Sequence, residues 1–257
     1  MALSVVSLYS GSSGNCTFVT AGRGEGILID AGVSAAAVGR GLASVGADIA
    51  GVRAIFVTHE HCDHVKGLAV LSKKYGIPIH ITSLSAENCR FTPEMTACAV
   101  FHPVLYRERA AGMTVESFAV PHDSRCCVGY RVTEEATGDS AAIATDIGKL
   151  DREILSHFLG CRGVMLECNH DIAMLLANPN YPEALKERIL SEGGHLSNEL
   201  CGRCVKWLSE QGVSRFMLAH LSRENNTPDR AREAVEKIAG PEVAVAVALP
   251  DTPVKLM

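Results

Sequence analysis

Thr58-His59-Glu60-His61-Cys62-Asp63-His64 decides how the rest of the chain is read. Three imidazoles and the Asp63 carboxylate fall within six residues, directly after the apolar run Ala54 to Val57, which reads as a short buried strand. His59 and His61 are two apart, so in an extended segment leaving a strand they point to the same side. Asp63 and His64 fall where the chain turns into a helix and address a second point nearby. One loop thus offers nitrogen and oxygen ligands to two adjacent metal ions. Alternation turns Cys62 away from both.

A single loop cannot complete two sites, so further ligands are expected just past other strand ends. Val120-Pro121-His122-Asp123 follows the run Thr114 to Val120, and Thr145-Asp146-Ile147-Gly148 follows Ala141 to Ala144. Leu218-Ala219-His220-Leu221-Ser222 follows Arg215 to Ala219. Alone, each is an ordinary strand-end cap or surface residue. Beside the histidine loop, they meet one geometric requirement repeatedly.

Strands are further expected at Ser4 to Tyr9, Cys16 to Thr20, Gly26 to Ile29, Ile79 to Thr82, Val128 to Val132, Val164 to Glu167 and Val243 to Val247. Helices are expected at Ser34 to Val45, His64 to Tyr75, Pro182 to Ser191, Ser197 to Gln211 and Pro228 to Ile238. Gly11-Ser12-Ser13-Gly14-Asn15 has the composition of a tight turn. No internal repeat or Pro/Gly/Ser linker divides the chain. One α/β domain, two layers of sheet covered by helices, fits this order.

The 257 residues are 47% hydrophobic, enough for a sizeable core. With 24 Lys+Arg against 29 Asp+Glu the net charge is −5, which excludes nucleic-acid binding through bulk charge and demands a local basic patch. No apolar run reaches membrane-spanning length, and no basic segment precedes an apolar one at the start, so a soluble, cytoplasmic protein with no membrane association is expected. The ten cysteines then read as buried or free thiols of a reducing compartment. Cys201-Gly-Arg-Cys204 sits in a stretch of helical periodicity and reads as core filler.

HEHCDH, the His of VPHD, the Asp of ATDIG and the His of LAHLS, in that order, resemble the motifs of the metallo-β-lactamase fold superfamily over almost the whole chain. SLYSGSSGN at the start, LECNHD at 166–171, GHLSN at 194–198 and HLSRENN at 220–226 bring it nearest to the YycJ (WalJ/VicX) branch. The resemblance implies an α/β fold, the αββα four-layer sandwich of two mixed β-sheets flanked by helices, with residues 1–257 as a single domain. The stretch from Asp146 to His220 leaves no room for an inserted β-CASP domain. It also implies two divalent metal ions, Zn²⁺ or Mn²⁺ with Fe²⁺ as a third candidate. His59, His61 and His122 would hold the first and Asp63, His64 and His220 the second, with Asp146 bridging.

Leu166-Glu167-Cys168 and Gly194-His195-Leu196 resemble stretches that supply a Glu–His pair beside the metals in ribonuclease Z-like relatives. Asp63, Glu167 and His195 are therefore the expected catalytic residues, with His170 and Asp171 supporting them. The resemblance implies a dinuclear metal-dependent hydrolase, a phosphodiesterase or nuclease of DNA exonuclease type, with a metal-bridging hydroxide as nucleophile. The branch resemblance favours DNA over RNA as substrate, and the lack of a Gly- and Pro-rich arm with a basic tip, of the kind that grips transfer RNA, argues against tRNA maturation. Ser222, Arg223 and Asn225 are expected at the substrate, and Arg107, Arg109, Arg125, Lys149 and Arg152 are further candidates for phosphate contact. Two alternatives stay open: a hydrolase of a small acyl substrate (thioester, lactone or lactam) and a non-catalytic metal-binding regulatory protein.

Overall fold

Ile27, Leu28 and Ile29 are consecutive and all buried, yet they enter different cores: Ile27 and Ile29 one, Leu28 another. Phe216, Met217 and Leu218 split in the same way between two cores. Successive strand residues face opposite sides, so strands with two buried faces must lie in inner layers of a multilayer fold.

The structure, a computed structural model, describes residues 2–22 and 24–257. The first sheet contains β1 (Ser4–Tyr9), β2 (Cys16–Thr20), β3 (Gly26–Ile29), β4 (Val52–Phe56), β5 (Ile79–Thr82) and β6 (Ala99–His102). The second contains β7 (Arg107–Ala110), β8 (Met113–Val120), β9 (Cys127–Glu134), β10 (Ser140–Ala144), β11 (Gly163–Glu167), β12 (Arg215–Ala219) and β13 (Val245–Val247). β14 (Val254–Lys255) returns to the first, giving two seven-stranded sheets of order β14-β1-β2-β3-β4-β5-β6 and β13-β12-β11-β10-β9-β8-β7.

The α-helices among the described residues are α1 (Ala35–Ser44), α2 (Cys62–Val65), α3 (Leu68–Tyr75), α4 (Ser83–Asn88), α5 (Pro93–Cys98), α6 (Arg152–Phe158), α7 (Ile172–Ala177), α8 (Glu183–Leu190), α9 (Asn198–Glu210) and α10 (Pro228–Ala239). One apolar cluster lies between the sheets and includes Val5, Ile27, Phe56, Val128, Met165 and Met217. A second joins the first sheet to α1 and α3 through Val38, Leu42, Leu68 and Leu71. The third joins the second sheet to α6, α9 and α10 through Phe158, Val205, Leu208 and Val235. The layers are αββα, as the resemblance implied. Among the described residues no helix is long and apolar enough to cross a membrane.

Strand direction gathers the motif loops. β8 and β10 both run antiparallel to β9, and β11 and β12 are parallel to β10. The segments after β8, β10, β11 and β12 therefore leave one edge of the second sheet, and β3 and β4, parallel to each other, send theirs off together.

The helix expected from His64 to Tyr75 is broken into α2 and α3 at Gly67. The Gly67 N–H donates to the Ala31 carbonyl (2.7 Å), and a Cβ there would stand 2.5 Å from the Val33 carbonyl oxygen. The approach of the 31–33 segment thus overrides helical continuity. The strand expected at Val243 to Val247 starts only at Val245. Residues 83–110, left unassigned from sequence, form α4, α5, β6 and β7.

Candidate metal centre

Apart from Ala111 in the β7–β8 turn, the described non-glycine residues with left-handed backbone are Asp30 (φ 62°), Asp146 (φ 59°) and His220 (φ 55°). Such conformations cost a non-glycine residue of order 1–3 kcal/mol and persist where surrounding structure enforces them. Here each sits where a strand gives way to a loop of the shared edge. Asp30 accepts hydrogen bonds from the Thr58 N–H (2.8 Å) and Thr58 hydroxyl (2.9 Å), and its Oδ2 is 2.8 Å from His64 Nδ1. This fixes both ends of the histidine loop. Asp30 was not singled out from sequence, although it follows the run Gly26 to Ile29 just as Asp146 follows its own strand.

The structure brings the seven expected ligands together. One potential ligand atom each from His59, His61 and His122 lies within 4.8 Å of the others, and the same holds for Asp63, His64 and His220. His59, His64 and Asp146 satisfy the same limit and so connect the trios. His64 Nε2 is 3.3 Å from Asp146 Oδ2 and 3.5 Å from Asp63 Oδ2, and His220 Nε2 is 3.6 Å from Asp63 Oδ2. His59 Nε2, Asp146 Oδ2 and His220 Nε2 are buried and lack hydrogen-bond partners. Buried polar atoms without partners are costly, and imidazole nitrogen with carboxylate oxygen is a donor set suited to Zn²⁺, Mn²⁺ or Fe²⁺. The residues present therefore fit a pair of divalent cations. Asn15, read from sequence only as part of a turn, also reaches the centre, with its Nδ2 3.3 Å from Asp63 Oδ2.

Glu167, fully buried, lies beneath the cluster at the end of β11. Its Oε1 is 2.8 Å from His195 Nδ1 and 2.7 Å from His220 Nδ1, and accepts from the Asp146 N–H at 3.2 Å. Its Oε2 accepts from the N–H groups of Ile147 (2.9 Å) and Leu196 (3.0 Å). A carboxylate so occupied orients the imidazoles of His195 and His220 and the two loops that carry Ile147 and Leu196. His122 Nδ1 donates in a similar way to the Gly194 carbonyl (3.2 Å), leaving Nε2 for the centre.

The charges compensate one another. Burial alone would depress His220, but Asp146, Asp63 and Glu167 push it up to about 10. Burial likewise works against charge on His64 and His195, and is outweighed at His64 by Asp30 and Asp146 and at His195 by Glu167, so both are raised. Burial favours the neutral acid at Glu167, yet His195 and His220 hold it at about 2. Asp63 and Asp146 are lowered against burial by His220 and His64. His59 and His122 stay low because burial dominates.

Ser222 and His195 line a pocket of about 170 Å³ together with Ser12, Tyr181 and Arg188. Arg223 lies alongside, donating to the Ser13 hydroxyl (2.8 Å). Asn225 departs from expectation: it is 1% exposed and its amide oxygen accepts from Asn178 (2.7 Å), so it braces the loop instead of facing substrate. Arg107, Arg109, Arg125 and Lys149 are exposed and paired with Glu116, Glu135, Glu87 and Glu192. Exposed pairs of this kind are weak. Cys62 is exposed, whereas Cys201 and Cys204 lie on the buried face of α9 and pack into the core.

The profile of the beta-lactamase superfamily domain matches residues 26–221, which include every one of the clustered residues above except Asn15. The chain belongs to the metallo-β-lactamase superfamily. Within it, the chain is 31% identical over 245 residues to an exodeoxyribonuclease WalJ of Streptococcus pneumoniae, covering 93% of this chain and 90% of that protein. It is 32% identical over 233 residues to an exodeoxyribonuclease YycJ of Bacillus anthracis, covering 90% and 87%. The metallo-β-lactamase fold protein YhfI of Bacillus subtilis superposes with a TM-score of 0.74 at 15% identity, over 99% of this chain and all of that one. The buried His/Asp cluster is typical of the superfamily's dinuclear metal sites.

Proposed function

We propose that this chain is a metal-dependent phosphodiesterase that degrades DNA from an end. The observation that carries the reading is the His195–Glu167 pair: Nδ1 of a partly exposed imidazole held 2.8 Å from a fully buried carboxylate, at the rim of the metal cluster. WalJ and YycJ, named as exodeoxyribonucleases, support the choice of DNA.

In this reading His59, His61 and His122 hold one cation and Asp63, His64 and His220 the other, with Asp146 shared. Zn²⁺ or Mn²⁺ bound there supplies Lewis acidity and a water-derived nucleophile at neutral pH. Glu167 is a positioning residue. It occupies His195 Nδ1, which leaves Nε2 to face substrate, and it raises the imidazole's proton affinity. When the bond from phosphorus to the leaving oxygen breaks, His195 gives its Nε2 proton to that oxygen. An alkoxide leaving group needs this proton, whereas a thiolate does not, so the pair favours phosphodiesters over thioesters.

The test is cleavage of end-labelled single- and double-stranded DNA with Mn²⁺ or Zn²⁺. Asp63→Ala should abolish cleavage. His195→Ala should reduce it about 10²–10⁴-fold, the usual weight of a general acid, and lose far less on a p-nitrophenyl phosphodiester whose leaving group departs unprotonated. Turnover of thioesters or lactones with no cleavage of DNA would overturn the proposal.

A further inference from the structure

His170 is a buried imidazole that the mechanism above does not use. It is 1% exposed, and neither ring nitrogen has a hydrogen-bond partner among the described residues. Leaving buried polar atoms unpaired costs about 1–3 kcal/mol, a cost that makes sense where a ligand supplies the missing partner. Burial holds His170 down at about 4, so near neutral pH the ring is uncharged and presents one donor and one acceptor.

The surroundings of His170 point to such a ligand. It forms part of the wall of a groove of about 680 Å³ that also includes His195, Leu176, Leu190, Leu200 and Arg203. Leu176, Leu190 and Leu200 are 52%, 44% and 47% exposed, an apolar surface open to the groove rather than packed into the core. A second lobe of about 350 Å³ shares Leu190, Leu200 and Arg203 and runs on to Trp207, the only tryptophan of the chain. A second space beside His195 measures about 170 Å³. Sites for drug-sized molecules are typically about 300–1,000 Å³, so the large groove accommodates a base with its sugar and the small pocket does not.

We propose that this groove seats the nucleoside on the leaving-group side of the scissile phosphodiester, with its base against Leu176, Leu190 and Leu200 and a base or sugar polar atom hydrogen-bonded to His170. The side follows from His195. It donates to the leaving oxygen and lines this groove, so the nucleoside carrying that oxygen must lie next to it. Arg203, between the two lobes, is placed to meet the following phosphate, and Trp207 to stack on a further base. The assignment rests on the phosphodiesterase reading.

The test compares kcat/KM for a thymidine dinucleotide, which has a nucleoside on both sides, with that for thymidine 5′-p-nitrophenyl phosphate. The latter's leaving group offers no sugar or base edge to His170. His170→Leu should shift the ratio of the two values about tenfold against the dinucleotide, mainly through KM, the effect of one lost hydrogen bond. Leu200→Glu should weaken the dinucleotide at least as much while metal content stays at the wild-type value. A ratio unchanged in both variants overturns the groove assignment, and if His170→Leu does not fold, Leu200→Glu decides alone. If the wild-type protein cleaves neither compound, the phosphodiesterase reading fails first. Quenching of Trp207 fluorescence by thymidine, lost in Leu200→Glu, then supports the groove as a nucleoside site, and no quenching overturns it.

Discussion

His220 stands against three carboxylates: Glu167 at 2.7 Å and Asp146 at 3.5 Å from Nδ1, and Asp63 at 3.6 Å from Nε2. These outweigh burial and push it up to about 10 from an ordinary 6.5. A group whose proton is held more tightly in the folded state adds stability that is complete below its unfolded value and disappears as pH rises through its folded one. Protein stripped of metal should therefore lose stability between about pH 6.5 and 10, seen as a falling Tm in chelator. Metal affinity should run the opposite way, because a cation must displace that proton and does so more easily as pH rises. Titration at pH 7 in buffers of different ionisation enthalpy should show protons released on Zn²⁺ binding. Affinity independent of pH across this window would remove His220 from the ligand set. The clustering of these His and Asp side chains was legible residue by residue because imidazole and carboxylate are rare at successive strand ends. Asp30 carries the same strand-end position as Asp146 but escaped for a physical reason: it meets His64 Nδ1, not the centre, so counting the donors that two cations need never called for it.

At the scale of elements, the histidine loop is lashed to two neighbouring turns. The Asn15 N–H donates to the Asp63 carbonyl (2.8 Å), the Gly32 N–H to the Asn15 carbonyl (2.8 Å), and the Ala31 N–H to the His64 carbonyl (2.9 Å). Gly32 lies so close that a Cβ would stand 1.5 Å from the Asp63 carbonyl oxygen, a backbone atom that has no rotamer to escape by. Gly32→Ala should cost about 3–5 kcal/mol, at the severe end for overpacking. At about 2–4 °C per kcal/mol for a chain of this size, Tm falls by roughly 10 °C or more. Bound metal measured by elemental analysis should fall with it, since the displaced backbone carries Asp63 and His64. A Tm within about 2 °C of wild type would mean that the loop is not held by this contact. The same crowding explains where the sequence reading failed. Strands with two buried faces announce themselves as apolar runs, and their ends were placed within a residue or two. The α2–α3 break was invisible because it is imposed by residues 31–33, over thirty positions away. β6 and β7 were invisible because they are edge strands: Phe101 is half exposed and β7 reads Arg107-Glu108-Arg109, the charged pattern that keeps a sheet edge from pairing further.

At the scale of the molecule, each proposed cation takes ligands from both sheets. His59, His61, Asp63 and His64 follow β4 of the first, and His122, Asp146 and His220 follow β8, β10 and β12 of the second. The apolar cluster between the sheets, from Val5 and Phe56 to Met165 and Met217, holds the two halves together independently of the metals. Metal removal should therefore leave the sandwich folded while releasing its active edge. A cation at about a thousandfold excess over its Kd adds about 4 kcal/mol per site, provided it does not bind the unfolded chain. Two sites at about 2–4 °C per kcal/mol predict a Tm rise of at least about 10 °C on adding Zn²⁺ or Mn²⁺ to chelator-treated protein. His220→Ala should keep only part of that rise, because the proposed first trio survives. The loosening should also be local. In stripped protein, amide hydrogen exchange should quicken in residues 57–66, 120–123, 145–148 and 220–222 and stay slow in the strand centres that build the inter-sheet cluster. Uniform acceleration through both sheets would show instead that the cations hold the whole sandwich together, and that the inter-sheet core is too weak to stand alone.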